Sequence, residues 1–263
     1  MMKWSTSFGK ALRISLYTWT SVLFLIPFAF AGQFSVSPIR LDFDRHIKSG
    51  SITVLNQGTE PLDLQMRAME WTQDAEGKDQ YAETNDIIFF PRIMTLQGGE
   101  SRILRMGIRL PATLKEKTYR LFLEEIPNLK KTEGTQVAIA VRFGVPIFVK
   151  PIEEKPRGEV EKIELSKGNL RIVIKNIGNV HFLIDKIYIR GKNASSQYVF
   201  SKELNGWYLL SEDSRLYTTS ISQEDCMNIK QIDVEIKTDQ LSLDKRFDVS
   251  KSMCVFSLET RVH

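Results

Sequence analysis

Residues 136–148, QVAIAVRFGVPIF, place an apolar side chain at every second position. Because successive side chains of a β-strand point to opposite faces, this spacing predicts one strand with a continuous apolar side. We call that side the apolar row; it comprises Val137, Ile139, Val141, Phe143, Val145 and Ile147. Alternation alone leaves two interpretations open. The row faces the core of its own domain, or the strand borders a groove and offers the row and its backbone hydrogen bonds to another protein.

Short strands with turn residues between them extend from this stretch towards the N-terminus, and no segment keeps a helical period for three turns. The polar segment 72–86 is predicted as a loop. The predicted strands before the apolar row cover 34–43, 51–55, 62–71, 87–96, 101–109 and 119–126. Seven or eight strands in about 120 residues are typical of an immunoglobulin-like sandwich.

A second strand-rich segment follows the row. Residues 151–158 contain two prolines and four charged side chains, and they predict a domain boundary. Further strands are predicted at 160–165, 170–175, 180–190, 197–200, 215–221, 229–237 and 246–249. The predicted fold class is therefore all-β, with two immunoglobulin-like β-sandwich domains at 32–152 and 153–263, the second the smaller.

Residues 1–31 have the three parts of a secretory signal peptide: a basic start, the apolar segment 14–28 and the small-x-small site Ala29–Ala31. The alternative is an uncleaved membrane anchor, but the apolar run is shorter than the ~20 residues that a span needs, and Pro27 interrupts it. We expect a cleaved signal and export from the cytoplasm.

Charge argues against a nucleic-acid partner. The formal net charge is +4, and three of the cations, Lys3, Lys10 and Arg13, lie in the predicted signal. Without them 33 basic side chains stand against 32 acidic ones, a net charge of +1. Such a chain has no basic surface of the kind that collects nucleic acid.

The two cysteines, Cys226 and Cys254, both lie late in the chain. In an exported protein they favour a disulfide, which on the chain-entropy model would contribute roughly 3–4 kcal/mol. Metal binding is the weaker alternative, because the three histidines match no zinc spacing. No nucleophile elbow, phosphate loop or zinc-protease motif is present, so we expect no catalytic residues, cofactor or small-molecule substrate.

Several segments in order resemble the periplasmic pilus chaperones of the chaperone–usher pathway. They are Val36–Arg40, the proline, glycine-turn and arginine segment 90–105, Leu110-Pro111, the segment 116–127 and the apolar row. The resemblance implies two sandwich domains with a cleft between them. It also implies a role in pilus and fimbrium biogenesis, and so in cell wall organization, within the periplasm.

The resemblance assigns roles to individual residues. Arg40 matches the cleft arginine that anchors the terminal carboxylate of a pilus subunit, a task that suits the two-pronged guanidinium. The alternative is a surface arginine at a strand start. Val137, Ile139 and Val141 match side chains lent to a subunit that lacks its last strand (donor-strand complementation), and Phe143 and Val145 extend that set. Glu116, Arg105 and Lys150 match charges that tie the two domains together.

The chain departs from the family at Pro146, where many members carry a second anchoring lysine. The replacement for that cation is open. Arg142 lies on the same side of the strand and is one candidate, although four residues separate it from Pro146 by ~13 Å; the alternative is a solvated surface arginine. The Val145–Val149 end resembles the branch associated with spore-coat-like and archaic pili.

The partners that the resemblance implies are pilus subunits and an outer-membrane usher; it leaves open self-association of the unloaded protein. A second function from a different class is a two-domain surface binding or adhesion module without chaperone activity, since fold alone does not set function. The apolar row discriminates the two, because a chaperone needs it accessible and a passive module buries it.

Overall fold

Alternating burial along the strands organises the N-terminal part of the chain. The computed structural model describes residues 34–111, 113–127 and 140–255. In the long strand Leu62–Gln73, for example, Leu62, Leu64 and Met66 are buried while the residues between them are not. Ten strands form here: β1 (Phe34–Ser37), β2 (Leu41–Phe43), β3 (Ser49–Asn56), β4 (Leu62–Gln73), β5 (Asp79–Glu83), β6 (Ile87–Phe90), β7 (Ile93–Leu96), β8 (Ser101–Ile108), β9 (Lys117–Glu125) and β10 (Arg142–Val149).

These strands make two sheets that enclose one core, the N-terminal sandwich. One sheet has the order β1-β3-β8-β6, and the other has the order β2-β10-β9-β4-β5, with β7 also paired to β4. Buried residues from both sheets, including Ile52, Leu104 and Leu121, form a single hydrophobic cluster. The predicted apolar strand lies inside the second sheet as β10.

Two predicted strands are split in the structure. The run predicted at 34–43 becomes β1 and β2, which belong to different sheets, with a cis peptide bond between Ser37 and Pro38. The run predicted at 87–96 becomes β6 and β7, again in different sheets and separated by the cis bond Phe90–Pro91. In each case a proline, which cannot donate to a ladder, stands where the chain changes sheets.

The predicted polar loop at 72–86 is partly wrong. Residues Asp79–Glu83 form β5, which pairs with the end of β4. Most β5 side chains are exposed, so the strand has no apolar periodicity to reveal it. Its order comes from backbone pairing with a long neighbour.

The C-terminal part forms a second sandwich. Its strands are β11 (Gly158–Ser166), β12 (Asn169–Asn176), β13 (Phe182–Lys192), β14 (Tyr198–Asn205), β15 (Tyr208–Leu209), β16 (Ser214–Ser220), β17 (Gln231–Thr238) and β18 (Ser242–Asp248). The sheet β11-β12-β16 packs on the sheet β14-β13-β17-β18, in which β15 also pairs with β13.

A short helix and a disulfide close this C-terminal sandwich. Helix α1 (Gln223–Asn228) begins at Ser222, whose side chain accepts a hydrogen bond from the Asp225 backbone N–H. A 3-10 helix covers Lys251–Cys254. The structure joins Cys226 of α1 to Cys254 in a disulfide, with a Cα–Cα distance of 5.6 Å.

Each sandwich has its own core, and the described parts of both belong to one compact unit. The prediction of an all-β chain of two sandwiches is confirmed. Within the described residues no helix has the length and apolar character needed to cross a membrane.

Candidate functional site

Strand β10 has one fully paired edge and one partly open edge. It pairs antiparallel with β9 along its whole length, Arg142–Val149. On the other side, β2 pairs with it in parallel only at Ile147–Val149. Within the described ranges, no strand covers that second side from Arg142 to Pro146. Unpaired backbone groups at such an edge are a template for strand addition.

The apolar row divides along its length. Val137 and Ile139 lie outside the described residues. Val141 is 37% exposed, and Phe143 is partly buried against the sandwich core. Val145 is fully buried within that core. The structure therefore removes Val145 from the surface that a partner can reach, because its neighbours on both sheets already enclose it.

Arg142 lies at the start of β10, on the face opposite the row. Its Nε is 2.8 Å from a carboxylate oxygen of Glu124, which is its register partner on β9. Its guanidinium carbon lies 3.7 Å from the centroid of the Phe122 ring. These two contacts hold an exposed cation at the open end of the strand.

Arg40 directly precedes β2 and is held by a neighbouring carboxylate. Its Nε and Nη2 donate to Asp42 at 2.7–3.1 Å, and its guanidinium carbon lies 4.6 Å from the centroid of the Phe148 ring. Although burial opposes the charge, the hydrogen bonds and charge of Asp42 raise the pKa of Arg40. Nη1 has no hydrogen-bond partner among the described residues, so this side of the guanidinium can bind a ligand.

Arg120 is a further candidate site residue that the sequence pattern did not indicate. It lies on β9 directly opposite Pro146, the position where the resemblance expects a lysine. Its side chain is only 10% exposed, and Asp79 is 3.9 Å away. Its guanidinium carbon lies 4.0 Å from the Trp71 ring centroid, and its Nη1 donates to the Tyr81 hydroxyl at 3.1 Å. Its buried Nε has no hydrogen-bond partner in the described chain.

Gly144 makes room for this cation. A Cβ at position 144 would lie 2.9 Å from Cδ of Arg120 and 3.1 Å from a ring carbon of Phe122. Both neighbours belong to β9, and their side chains lie beside the glycine of β10. Gly144 thus allows the side chains of Arg120 and Phe122 to lie close to the β10 backbone. In the sequence, the glycine appears only as a strand position without a side chain.

The N-terminal sandwich with its open-edged β10 matches a known family. The model of the pili and flagellar-assembly chaperone PapD N-terminal domain matches residues 33–154. Residues 33–154 therefore belong to the family of pilus-assembly chaperone N-terminal domains.

Solved structures similar to this chain cover both sandwiches. One is a chain of the CsuC–CsuE chaperone–tip adhesion subunit pre-assembly complex from the archaic chaperone–usher Csu pili of Acinetobacter baumannii. It has 20% identity and a TM-score of 0.58, covering 81% of this chain and 98% of that one. The YadV chaperone has 14% identity and a TM-score of 0.53, with coverages of 83% and 100%.

A third match comes from the Salmonella enterica SafA pilin–SafB chaperone complex, with 12% identity, a TM-score of 0.50 and coverages of 82% and 97%. At these identities the three structures show a shared fold. No curated protein sequence matches the chain.

An aromatic cluster joins the N-terminal sandwich to the C-terminal sandwich. Trp71 and Phe148 from the first sandwich pack with Leu210 from the second, and Tyr81 and Tyr208 lie against them. The Tyr208 ring meets Trp71 edge-on, with centroids 5.4 Å apart. Arg40 and Arg120 each lie on a ring of this cluster, so both cations border the junction.

Of the charges that the resemblance assigned to the domain junction, Glu116 does reach the second sandwich. Its carboxylate accepts hydrogen bonds from the backbone N–H of His181 at 2.8 Å and contacts His181 Nδ1 at 2.7 Å. Lys150 instead pairs with Glu154 in the connecting segment, and Arg105 is exposed on β8.

Tyr81 is the neutral hydrogen-bond partner of Arg120. Burial raises the pKa of Tyr81 even though the charge of Arg120 opposes the shift, so its phenol stays neutral and accepts the hydrogen bond from Arg120. Across the described ranges, no cluster of three or more His, Cys, Asp or Glu residues is arranged to hold a metal ion. What the site offers is an open strand edge, exposed apolar surface and three cations, Arg40, Arg120 and Arg142.

Proposed function

We propose that this protein is a periplasmic chaperone that binds pilus subunits by lending them a β-strand and passes them to an outer-membrane usher. The observation that carries the proposal is the open side of β10 at Arg142–Pro146, in the same sheet as β2, the strand that Arg40 directly precedes. A subunit that lacks its last strand has unpaired backbone groups and an incomplete core, and one lent strand satisfies both.

The apolar part of the interaction is assigned to the row. Val137, Ile139 and Val141 enter the subunit, and the partly buried Phe143 marks the end of the lent surface. Burying each of the three side chains would contribute very roughly 1.5–3 kcal/mol before the cost of ordering both partners. Val145 anchors the strand in its own sandwich.

The polar part is assigned to two arginines. Arg40 binds the carboxylate at the end of the subunit through Nη1, which has no hydrogen-bond partner among the described residues, or by giving up its bonds to Asp42. Arg120 supplies the second positive charge in place of the lysine that Pro146 excludes. Because Arg120 is nearly buried and only weakly paired, its field is less screened than that of a surface arginine.

The remaining assignments follow the same family. Residues 1–31 are proposed as a cleaved signal, 32–152 as the subunit-binding domain and 153–263 as the second domain. The role proposed is binding without catalysis. The proposed subfamily is the archaic or spore-coat-like branch, because the segment Val145–Val149 resembles it.

A protection experiment tests this function. A candidate pilus subunit is expressed in the periplasm with and without this protein, and its survival against periplasmic proteases is measured. We expect survival only when the chaperone is present, and loss of survival with Arg40→Ala. Arg102→Ala is the matched control, because Arg102 also pairs with a carboxylate two residues away but lies on the other sheet. If the subunit survives equally well with wild type and with Arg40→Ala, Arg40 does not anchor the carboxylate of the subunit.

A further inference from the structure

His181 links the second sandwich to the first through a buried carboxylate. It lies just before β13, and its side chain is 3% exposed. Both its backbone N–H and its Nδ1 lie within hydrogen-bond distance of the same oxygen of Glu116, which directly precedes β9 and has a side chain that is 1% exposed. The imidazole therefore has a fixed position and a fixed tilt.

The same imidazole stacks on Phe148. The two ring centroids are 3.6 Å apart and the planes differ by 10°. Phe148 belongs to β10 and is fully buried. The guanidinium carbon of Arg40 lies 4.6 Å from the same Phe148 centroid. The imidazole and the guanidinium therefore both lie against this one ring.

These contacts run in series from Glu116 to His181, then to Phe148 and then to Arg40. We call this series of four side chains the column. A guanidinium over an aromatic face gains roughly 2- to 30-fold in the equilibrium that favours that position. That gain is present only while the ring keeps its orientation. The other rings near Phe148, Trp71 and Tyr208, are tilted and lie 5.6–6.0 Å from it, so the stacked imidazole is its closest ring neighbour.

We infer that His181 is a positioning residue for subunit binding: by stacking on Phe148 it fixes the ring against which Arg40 is held. The C-terminal sandwich thereby sets the direction of a guanidinium that belongs to the N-terminal sandwich. This inference rests on the proposed function of Arg40 as the carboxylate anchor.

The test follows Arg40 directly by NMR in the full mature protein. The Nε–Hε resonance of Arg40 is assigned by its loss in Arg40→Lys, and it reports the aromatic ring beneath the guanidinium. Arg142 is the internal control, because its guanidinium lies 3.7 Å from the Phe122 centroid and has no part in the column. Its resonance should stay unchanged in every His181 variant.

Three substitutions separate the ring from the hydrogen bond. His181→Phe keeps a stacking ring and loses the Nδ1 donor. His181→Asn keeps a donor for Glu116 and loses the ring, and His181→Ala loses both. We expect the Arg40 resonance to stay near its wild-type position in His181→Phe and to move towards that of a free arginine in the other two variants. Thermal melting checks that each variant is folded.

Acetate serves as the carboxylate probe. Its dissociation constant is read from the Arg40 resonance, and we expect acetate binding to weaken about 3- to 30-fold in His181→Ala and His181→Asn and less than about 3-fold in His181→Phe. An unchanged Arg40 resonance and acetate affinity in His181→Ala would overturn the positioning role. So would a loss in His181→Phe as large as that in His181→Ala, because the stack would then be irrelevant.

The two proposals fail differently in this experiment. If acetate does not perturb Arg40 in the wild type, the anchor assignment is wrong. The acetate-free resonance still decides whether His181 holds Arg40 in place. If acetate binds Arg40 equally well in wild type, His181→Asn and His181→Ala, the anchor stands and the positioning role of His181 is wrong.

Discussion

The two ends of strand β10 lie in one sheet but have opposite surroundings. At Ile147–Val149 the strand is paired on both sides, by β9 and β2, and is almost completely buried. At Arg142 only β9 is present, and the preceding Val141 is 37% exposed. Exposed surface and buried core are thus successive parts of one apolar row.

Aspartate substitutions at the two ends should give the largest contrast. Ile147→Asp buries an unpaired carboxylate in the closed end, and we expect a loss of more than about 4 kcal/mol in the free energy of unfolding. Val141→Asp should change it by less than about 1 kcal/mol while abolishing subunit protection. Urea unfolding and the protection experiment measure both. Comparable destabilisation by the two substitutions would contradict the division of the strand.

The positive charge of Arg120 can be moved from β9 to the facing position on β10. Arg120→Leu keeps apolar packing against Trp71 but removes the charge, and we expect subunit protection to fall about 10-fold. Adding Pro146→Lys places a cation on the register partner of position 120 and should restore part of the protection. Binding of a purified subunit to wild type, single and double variants measures the effect. Wild-type binding by Arg120→Leu would exclude Arg120 from the anchor.

Gly144 lies between the open and the closed end of β10, and its substitution gives a smaller test of the division between them. Its substitution by Ala should cost about 1–2 kcal/mol, because the new Cβ meets Arg120 and Phe122 at 2.9 and 3.1 Å. In the Arg120→Ala background the cost should shrink, which a double-mutant cycle of unfolding free energies detects. Gly107→Ala on β8, with its nearest contact at 3.3 Å, is the milder control. Strict additivity would show that Arg120 does not use the space above the glycine.

The smallest expected effect concerns Asp42, which holds Arg40 beside the closed end. Asp42→Asn removes a competing carboxylate, and we expect acetate to bind Arg40 about 2- to 5-fold more tightly with little change in stability. Glu100→Gln, which breaks the equivalent pair with Arg102, should leave acetate binding unchanged. Weaker acetate binding in Asp42→Asn would mean that Asp42 orients Arg40 more than it blocks it.

Much of the fold was accessible from local pattern, because alternation marks any strand with one buried face. β4, β8 and β9 lie where the period of two placed them, within a few residues. Two features carried weaker local signals. β5 has little apolar content, and the breaks at Pro38 and Pro91 depend on which sheet each half of the run joins.

The site divides in the same way. Arg40, Arg142 and the row could be named from motifs and spacing. Arg120 could not, because nothing local shows that it faces Pro146. That register depends on how β9 and β10 pair across a long connection. The burial of Val145 also escaped prediction, since alternation gives the side of a strand but not which part of that side is covered.

By itself, the sequence determined the strand periodicity, the family-like motifs and the two cysteines, because these are properties of neighbouring residues. Only the tertiary structure decided where β10 loses its second neighbour, which cation stands opposite Pro146, and that His181 reaches Phe148 across the junction. Each of these features is a contact, or a missing contact, between residues that are far apart in the sequence. Local sequence preferences do not specify such contacts, because strand register and packing set them.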